Sequence, residues 1–115
     1  MSGSSNVWVK SGRVYNLLAE PGSTSTVTGP WLYKDSPYST FQGIVTGTGA
    51  VTATIVIDCS NDGVNAVATV LGTITLSGTT SASDGFTTAA PWKYVRARVT
   101  AITGTGATAQ VYMGV

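Results

Sequence analysis

Apolar and polar residues alternate on both sides of a pentapeptide, TGTGA, that occurs twice in this chain. The first copy, at 46–50, precedes VTATIVIDC, and the second, at 103–107, lies between YVRARVTAI and ATAQVYMGV. A period of two residues is the pattern of a β-strand with one buried face. No window shows apolar residues at helical spacing together with a cap and a glycine stop. We therefore expect an all-β chain with at most a single turn of helix.

The candidate strands recur about every ten residues and are separated by turn signals, a spacing that predicts an antiparallel β-sandwich, jelly-roll-like, of about seven to nine strands. Because Gly tolerates the positive φ angles that hairpin turns require, each TGTG is predicted to form a hairpin turn. TTSASDGFTTAAP, at 79–91, is predicted to be a loop. Three sets of residues should each share one strand face: Val51, Ala53, Ile55, Ile57 and Cys59; Val95, Ala97, Val99 and Ala101; Ala107, Ala109, Val111, Met113 and Val115.

Length and composition limit the possible organisation and partners. The 115 residues suit a single β-sandwich domain over 7–115, preceded by a flexible N-terminal arm over 1–6. The net charge is +1 and only 10% of the residues are charged, so no electrostatic field favours nucleic acid or an anionic membrane. The start has no secretion-signal pattern, and no stretch approaches the ~18 apolar residues of a membrane span. We expect a protein made in a cytoplasm that leaves it, if at all, by lysis.

The sequence offers little for catalysis or metal binding. There is no His to act as a base, and the lone Cys59 is expected to be a small buried hydrophobe. DCSNDG begins like a calcium loop, with Asp58, Ser60 and Asp62 at alternating positions, but Thr69 stands where the closing Glu belongs. Asn-Asp-Gly is also ordinary turn chemistry, which is the favoured interpretation. We therefore predict no enzyme, no cofactor and no metal site. The five carboxylates lie in predicted turns or at strand ends: Glu20, Asp35, Asp58, Asp62 and Asp84.

Aromatic residues and two arginines are the candidate contact residues. The aromatic side chains either form a stacking platform for sugars or fill and close the core, and the second interpretation is favoured. Arg96 and Arg98 share one strand face, where they would discourage edge pairing or fix the register with a neighbouring subunit. A surface so poor in charge also predicts a homo-oligomer or one large protein partner. The interface candidates are Val7, Trp8, Val9, Trp31, Tyr33, Arg96 and Arg98.

Several segments resemble a type of short protein found among the virion components of tailed bacteriophages. The segments are IVIDCSNDGVN, GTITLSG, DGF, APWKYVRARVTAITGTGA and VYMGV, which together span about residues 40–115. The SNDG turn and the PWKYVRA-to-TGTGA hairpin are the most specific. Where such proteins often carry a Trp soon after SNDG, this chain has Val67. The resemblance implies a β-sandwich capsid decoration (cement) protein that binds the major capsid protein. The alternative is a tail- or spike-associated module that binds a glycan or another tail protein.

The first forty residues lie outside this resemblance, and their N-terminal arm leads into an apolar run, Val7 to Val9. An arm that orders on contact would let a cement protein hold a second capsid subunit while its domain sits on the first. The alternative is that Trp8 packs on its own domain.

Overall fold

The computed structural model describes residues 13–19 and 22–115, which form one antiparallel sheet of six strands and contain no helix. The all-β, antiparallel prediction is confirmed. The arm at 1–6 and the apolar run Val7 to Val9 lie outside the described residues. The strands are β1 (Val14–Asn16), β2 (Val27–Thr28), β3 (Leu32–Tyr33), β4 (Ser39–Ser60), β5 (Gly72–Thr88) and β6 (Tyr94–Gly114).

Three long strands form the centre of the sheet, which has the order β1-β6-β4-β5. β4 pairs with β5 along one side and with β6 along the other. The short strands β1, β2 and β3 all pair with the remaining edge of β6. The described strands are fewer than the seven to nine predicted, because two predicted turns and one predicted loop lie inside the long strands.

The prediction that each TGTG forms a hairpin turn is wrong. Both copies lie inside strands, β4 and β6, and they are neighbours in the sheet, with Thr48 paired to Thr105. The register between the two strands shifts at this point. Gly49 and Gly106 have φ angles of 74° and 65°, so they take the positive φ that the sequence analysis assigned to turns. A β-bulge needs the same backbone freedom as a hairpin, which is why the two could not be told apart by composition.

The predicted loop at 79–91 is also wrong over most of its length, because β5 continues to Thr88. Its residues are mostly exposed and polar, which is ordinary for the outer strand of a sheet but was interpreted as a loop composition. A register irregularity interrupts the pairing of β4 with β5 between Thr46 and Ala50. Thr80, opposite this irregularity, has a φ of 64°, an unfavourable value for a β-branched residue.

The core lies between the two halves of the long strands. A Cβ added to Gly43 would come within 2.8 Å of Ile55 Cδ1, and one added to Gly72 would collide with the Phe86 ring. Gly43 and Ile55 both belong to β4, and Gly72 and Phe86 both belong to β5. In each strand the two residues lie on opposite sides of the register irregularity. The long strands therefore bend at the bulges and bring their apolar faces together.

The predicted inward faces are buried with two exceptions, a half-buried Val115 and an exposed Ala101. Thr54 pairs with Ala101 while the next residue, Ile55, pairs with Val99, so Thr100 is an extra residue in β6. One extra residue reverses which face the following side chain occupies. Ala101 therefore points to solvent instead of the core.

Candidate functional site

Four of the predicted interface residues lie together, and Tyr94 joins them. Tyr94, Arg96 and Arg98 alternate along β6 and therefore share one face of the sheet. β3 pairs with the start of β6, so that Tyr33 lies opposite Tyr94. We call this set, Trp31, Tyr33, Tyr94, Arg96 and Arg98, the aromatic–arginine patch. The other three candidates, Val7, Trp8 and Val9, lie outside the described residues.

A buried carboxylate, Asp58, holds the two arginines of the patch. Asp58 Oδ2 accepts hydrogen bonds from Arg96 Nε at 2.9 Å and from Arg98 Nε at 3.0 Å. Its Oδ1 accepts a third from Arg98 Nη2 at 3.1 Å. The Asp58 side chain is 3% exposed, whereas those of Arg96 and Arg98 are 22% and 35% exposed. The arginines therefore cover the carboxylate while keeping part of their own surface in solvent.

From the sequence alone, Asp58 is expected in a turn or at a strand end, with no connection to the arginines. The structure places it in β4, paired directly with Arg96, while its neighbour on the same face, Val56, pairs with Arg98. The signal in the sequence was an acidic residue on a strand face matched by two basic residues on another strand face. Using that signal requires the pairing register of β4 with β6, which the sequence does not specify.

The ion pairs determine the ionisation of the cluster. Burial alone raises the pKa of Asp58, but the hydrogen bonds and charges of Arg98 and Arg96 outweigh it and hold that pKa below its ordinary value. The hydrogen bond with Asp58 raises the pKa of Arg98. With two arginines and one aspartate, the cluster keeps one net positive charge. The patch is therefore a weakly charged surface with fixed side chains.

The aromatic side chains extend this surface. The Arg96 guanidinium carbon lies 4.4 Å from the centroid of the Trp31 ring, within the range of a cation–π interaction. Tyr33 and Tyr94 meet edge to face, with ring centroids 5.4 Å apart and ring planes at 73°. Tyr33 remains 59% exposed. The arrangement offers an aromatic face and a hydroxyl that are already positioned, so little side-chain entropy would be lost on binding.

Lys34 anchors the segment that carries Tyr33. Its side chain is buried, and Nζ donates to the carbonyl oxygens of Ser36 at 2.9 Å and Ala90 at 3.0 Å. Burial lowers the pKa of Lys34, and the positive charge of Lys93 lowers it further. The pKa of Tyr33 is raised by hydrogen bonding to, and the negative charge of, Asp35. These contacts fix the chain directly after β3.

The turn at 60–65 borders the patch and is closed by its own side chains. Asp62 Oδ1 accepts hydrogen bonds from Ser60 Oγ and from the backbone N–H groups of Val64 and Asn65. The bonds from the two backbone N–H groups are the main cause of the lowered pKa of Asp62. Gly63 lies against Tyr94, since an added Cβ would be 3.1 Å from the ring. Asp62 thus serves the turn, as the favoured interpretation of DCSNDG proposed.

Within residues 13–19 and 22–115, no cluster of three or more His, Cys, Asp or Glu side chains is arranged to hold a metal ion. The same residues include no helix of the length and apolarity needed to span a membrane. Comparison of the chain with protein-family models, with curated proteins and with solved structures found no match.

Proposed function

We propose that this protein is a structural component of a tailed-bacteriophage virion, a capsid decoration (cement) protein that binds across neighbouring capsid subunits. In this proposal the bent sheet is a jelly-roll-like sandwich, and the aromatic–arginine patch is the surface that contacts the major capsid protein. The observation that carries the proposal is that this patch is partly exposed and weakly charged, and that the buried Asp58 holds its two arginines in place. A preformed surface of this kind suits a permanent contact with another protein.

The resemblance to phage virion proteins supports the proposal through its location in the fold. The resembling region, about 40–115, comprises β4, β5 and β6, which are the scaffold. Its two most specific parts are in contact: Gly63 of the SNDG turn lies against Tyr94, and the backbone N–H of Lys93 donates to Asn61 Oδ1 at 3.3 Å. Trp31 and Tyr33 come from outside the resembling region. In this proposal, related proteins share the scaffold of β4, β5 and β6. The segment that carries Trp31 and Tyr33 differs between them and makes the contacts of attachment.

The proposal includes a homo-oligomer as the attached form and the virion as the location, after synthesis in the host cytoplasm. A decoration protein that repeats on a symmetric shell meets other copies of itself at fixed spacing. Burying one patch against two adjacent capsid subunits stabilises the shell, because each subunit then loses this contact as well when it dissociates.

A second function, a tail- or spike-associated module that binds a glycan or another tail protein, is favoured by one observation. Tyr33 is 59% exposed beside Tyr94, and an exposed aromatic face is the surface on which sugar rings stack.

Stoichiometry in purified virions separates the two functions. Quantitative mass spectrometry of virions of the phage that encodes this chain should find hundreds of copies under the capsid proposal. A dozen or fewer would indicate the tail, and absence from the virion would contradict both functions.

The patch itself is tested by adding back purified protein to shells that lack it. Tyr33→Ser should lower shell occupancy at least tenfold. Tyr38→Ser is the matched control, because Tyr38 is also a largely exposed tyrosine, at 70%, but is not part of the patch. Equal occupancy by the two variants would contradict the role of the patch.

A further inference from the structure

An apolar groove of about 750 Å³ crosses one end of the sheet, and none of its lining residues belongs to the aromatic–arginine patch. Four strands contribute to it in cross-strand register: Val14 pairs with Gly114, Gly114 with Thr40, and Thr40 with Thr87. Gly114 contributes no side chain to this row, so the surface is recessed there. An added Cβ would come within 2.7 Å of Thr40 Oγ1. Val14 borders the groove and is 71% exposed. A valine so exposed on a regular strand is a surface that burial would stabilise.

The chain itself enters the described structure at this groove. Arg13 lines it and is held to the sheet end by two backbone hydrogen bonds, from Arg13 N to Val115 O at 3.0 Å and from Val115 N to Arg13 O at 2.9 Å. The twelve preceding residues contain one apolar run, Val7 to Val9. At ~3.3–3.6 Å per residue, an extended chain can span at most about 14 Å from Arg13 to Val9 and about 22 Å from Arg13 to Val7.

We propose that the groove is the docking site for residues Val7 to Val9 of the same chain, with Trp8 as the apolar anchor. The same-chain occupant is favoured because Arg13 is fixed at the groove. A tether of a few residues gives the run an effective concentration in the millimolar range, which a second copy in dilute solution does not reach. Docking covers Val14 and uses the apolar run nearest to the groove along the chain.

Disulfide trapping in the full-length chain tests this assignment. In a Cys59→Ala background, Val9→Cys is combined with Thr87→Cys, an exposed position in the groove. Mild oxidation should convert most of the protein to a monomer with an internal disulfide, seen by mass and by non-reducing gel mobility. The matched control combines Val9→Cys with Asp35→Cys. Asp35 is exposed at a different cavity that Val115 also borders, and it should trap at least fivefold less.

Equal trapping of the two pairs, or no trapping of either, would overturn the proposal. A disulfide that forms only between molecules would assign the groove to a second copy and would equally overturn it.

A second measurement does not depend on introduced thiols. Replacing Val7, Trp8 and Val9 by Ser in the full chain should raise the fluorescence of an apolar dye such as ANS severalfold, because the groove is then open. Trp8→Phe should leave dye binding near the unsubstituted level, and a rise equal to that of the triple variant would contradict the anchoring role.

Discussion

Replacing Asp58 by Asn tests whether the buried ion pairs stabilise the fold as well as shape the patch. The change keeps the size of the side chain but removes its charge and turns one acceptor oxygen into a donor. Asp58 accepts three hydrogen bonds from the two arginines, and the introduced amide can reproduce only part of this set. The guanidinium groups would keep their charge without a counter-ion.

The expected size of the effect follows from burial. Removing one partner of a fully buried pair costs about 3–5 kcal/mol. Here the carboxylate is buried, but Arg96 and Arg98 remain 22% and 35% exposed, so water can solvate them once the carboxylate charge is gone. We therefore expect a loss of about 2–3 kcal/mol in the free energy of unfolding. For a chain of 115 residues this corresponds to a Tm lowered by about 8–12 °C.

The assay is urea unfolding at pH 7, followed by circular dichroism, with Asp84→Asn as the matched control. Asp84 is exposed on β5 and accepts a hydrogen bond from the N–H of Gly85, so its substitution should change the free energy of unfolding by less than about 0.5 kcal/mol. If Asp58→Asn matches Asp84→Asn, the ion pairs give no net stabilisation and the reasoning is refuted.

The pH dependence gives an independent check with a definite sign. The pKa of Asp58 is lower in the folded than in the unfolded state, so its contribution is fully present above the unfolded pKa of about 3.9 and is lost as the pH falls through the folded value. The stability difference between the unsubstituted protein and Asp58→Asn should therefore be constant near neutrality and shrink below about pH 4. A difference that grows in acid would contradict the assignment.

Three further predictions concern other parts of the sheet. Thr80→Gly should raise the free energy of unfolding by about 0.5–1 kcal/mol in urea unfolding, because glycine accepts the φ of 64° without strain; a loss would show that the threonine side chain matters more. Gly43→Val should lower that free energy by about 1–3 kcal/mol, because its side chain would press on Ile55 across the core; an unchanged value would contradict the packing of the two strand halves. EDTA should leave the Tm measured by calorimetry unchanged, because the Asp62 oxygens are bonded to the turn; a clear decrease would reveal a bound metal.

Sequence alone was sufficient for the features that depend on neighbours in the chain. Alternation around Ile55 and Val111 placed the buried face of β4 and β6 correctly, because side chains two residues apart share a face whatever the strand pairs with. The SNDG turn was also identified, since Asp62 closes it with groups two and three residues away. The aromatic–arginine patch was found only as separate candidates, because Trp31 and Arg96 are brought together by the pairing of β6 with the segment before β4.

Long-range pairing is what the sequence did not reveal. Asp58 and Arg98 are forty residues apart, and their contact depends on a register that includes a bulge near Thr100. A one-residue change in that register would move both side chains to different partners. The prediction that each TGTG forms a hairpin turn was wrong for the same reason. A turn and a β-bulge need the same residues locally, and only the long-range pairing distinguishes them.

The pairing of the two TGTG copies can be tested directly, and it is the feature on which the bent sheet depends. Thr48 and Thr105 are cross-strand partners, so Thr48→Cys with Thr105→Cys, in a Cys59→Ala background, should form an internal disulfide.

The disulfide would close a loop of about sixty residues and, on the chain-entropy account, stabilise the fold by about 4 kcal/mol relative to the reduced form. Separate hairpin turns would require no such proximity. Thr48→Cys with Thr73→Cys is the control, because Thr73 pairs with Val56 beyond the bulge, and it should remain reduced. Failure of the first pair to oxidise, or equal oxidation of both pairs, would show that the strands do not run through TGTG side by side. A different topology would then be needed to explain how the two halves of each long strand pack together and how β6 carries the aromatic–arginine patch.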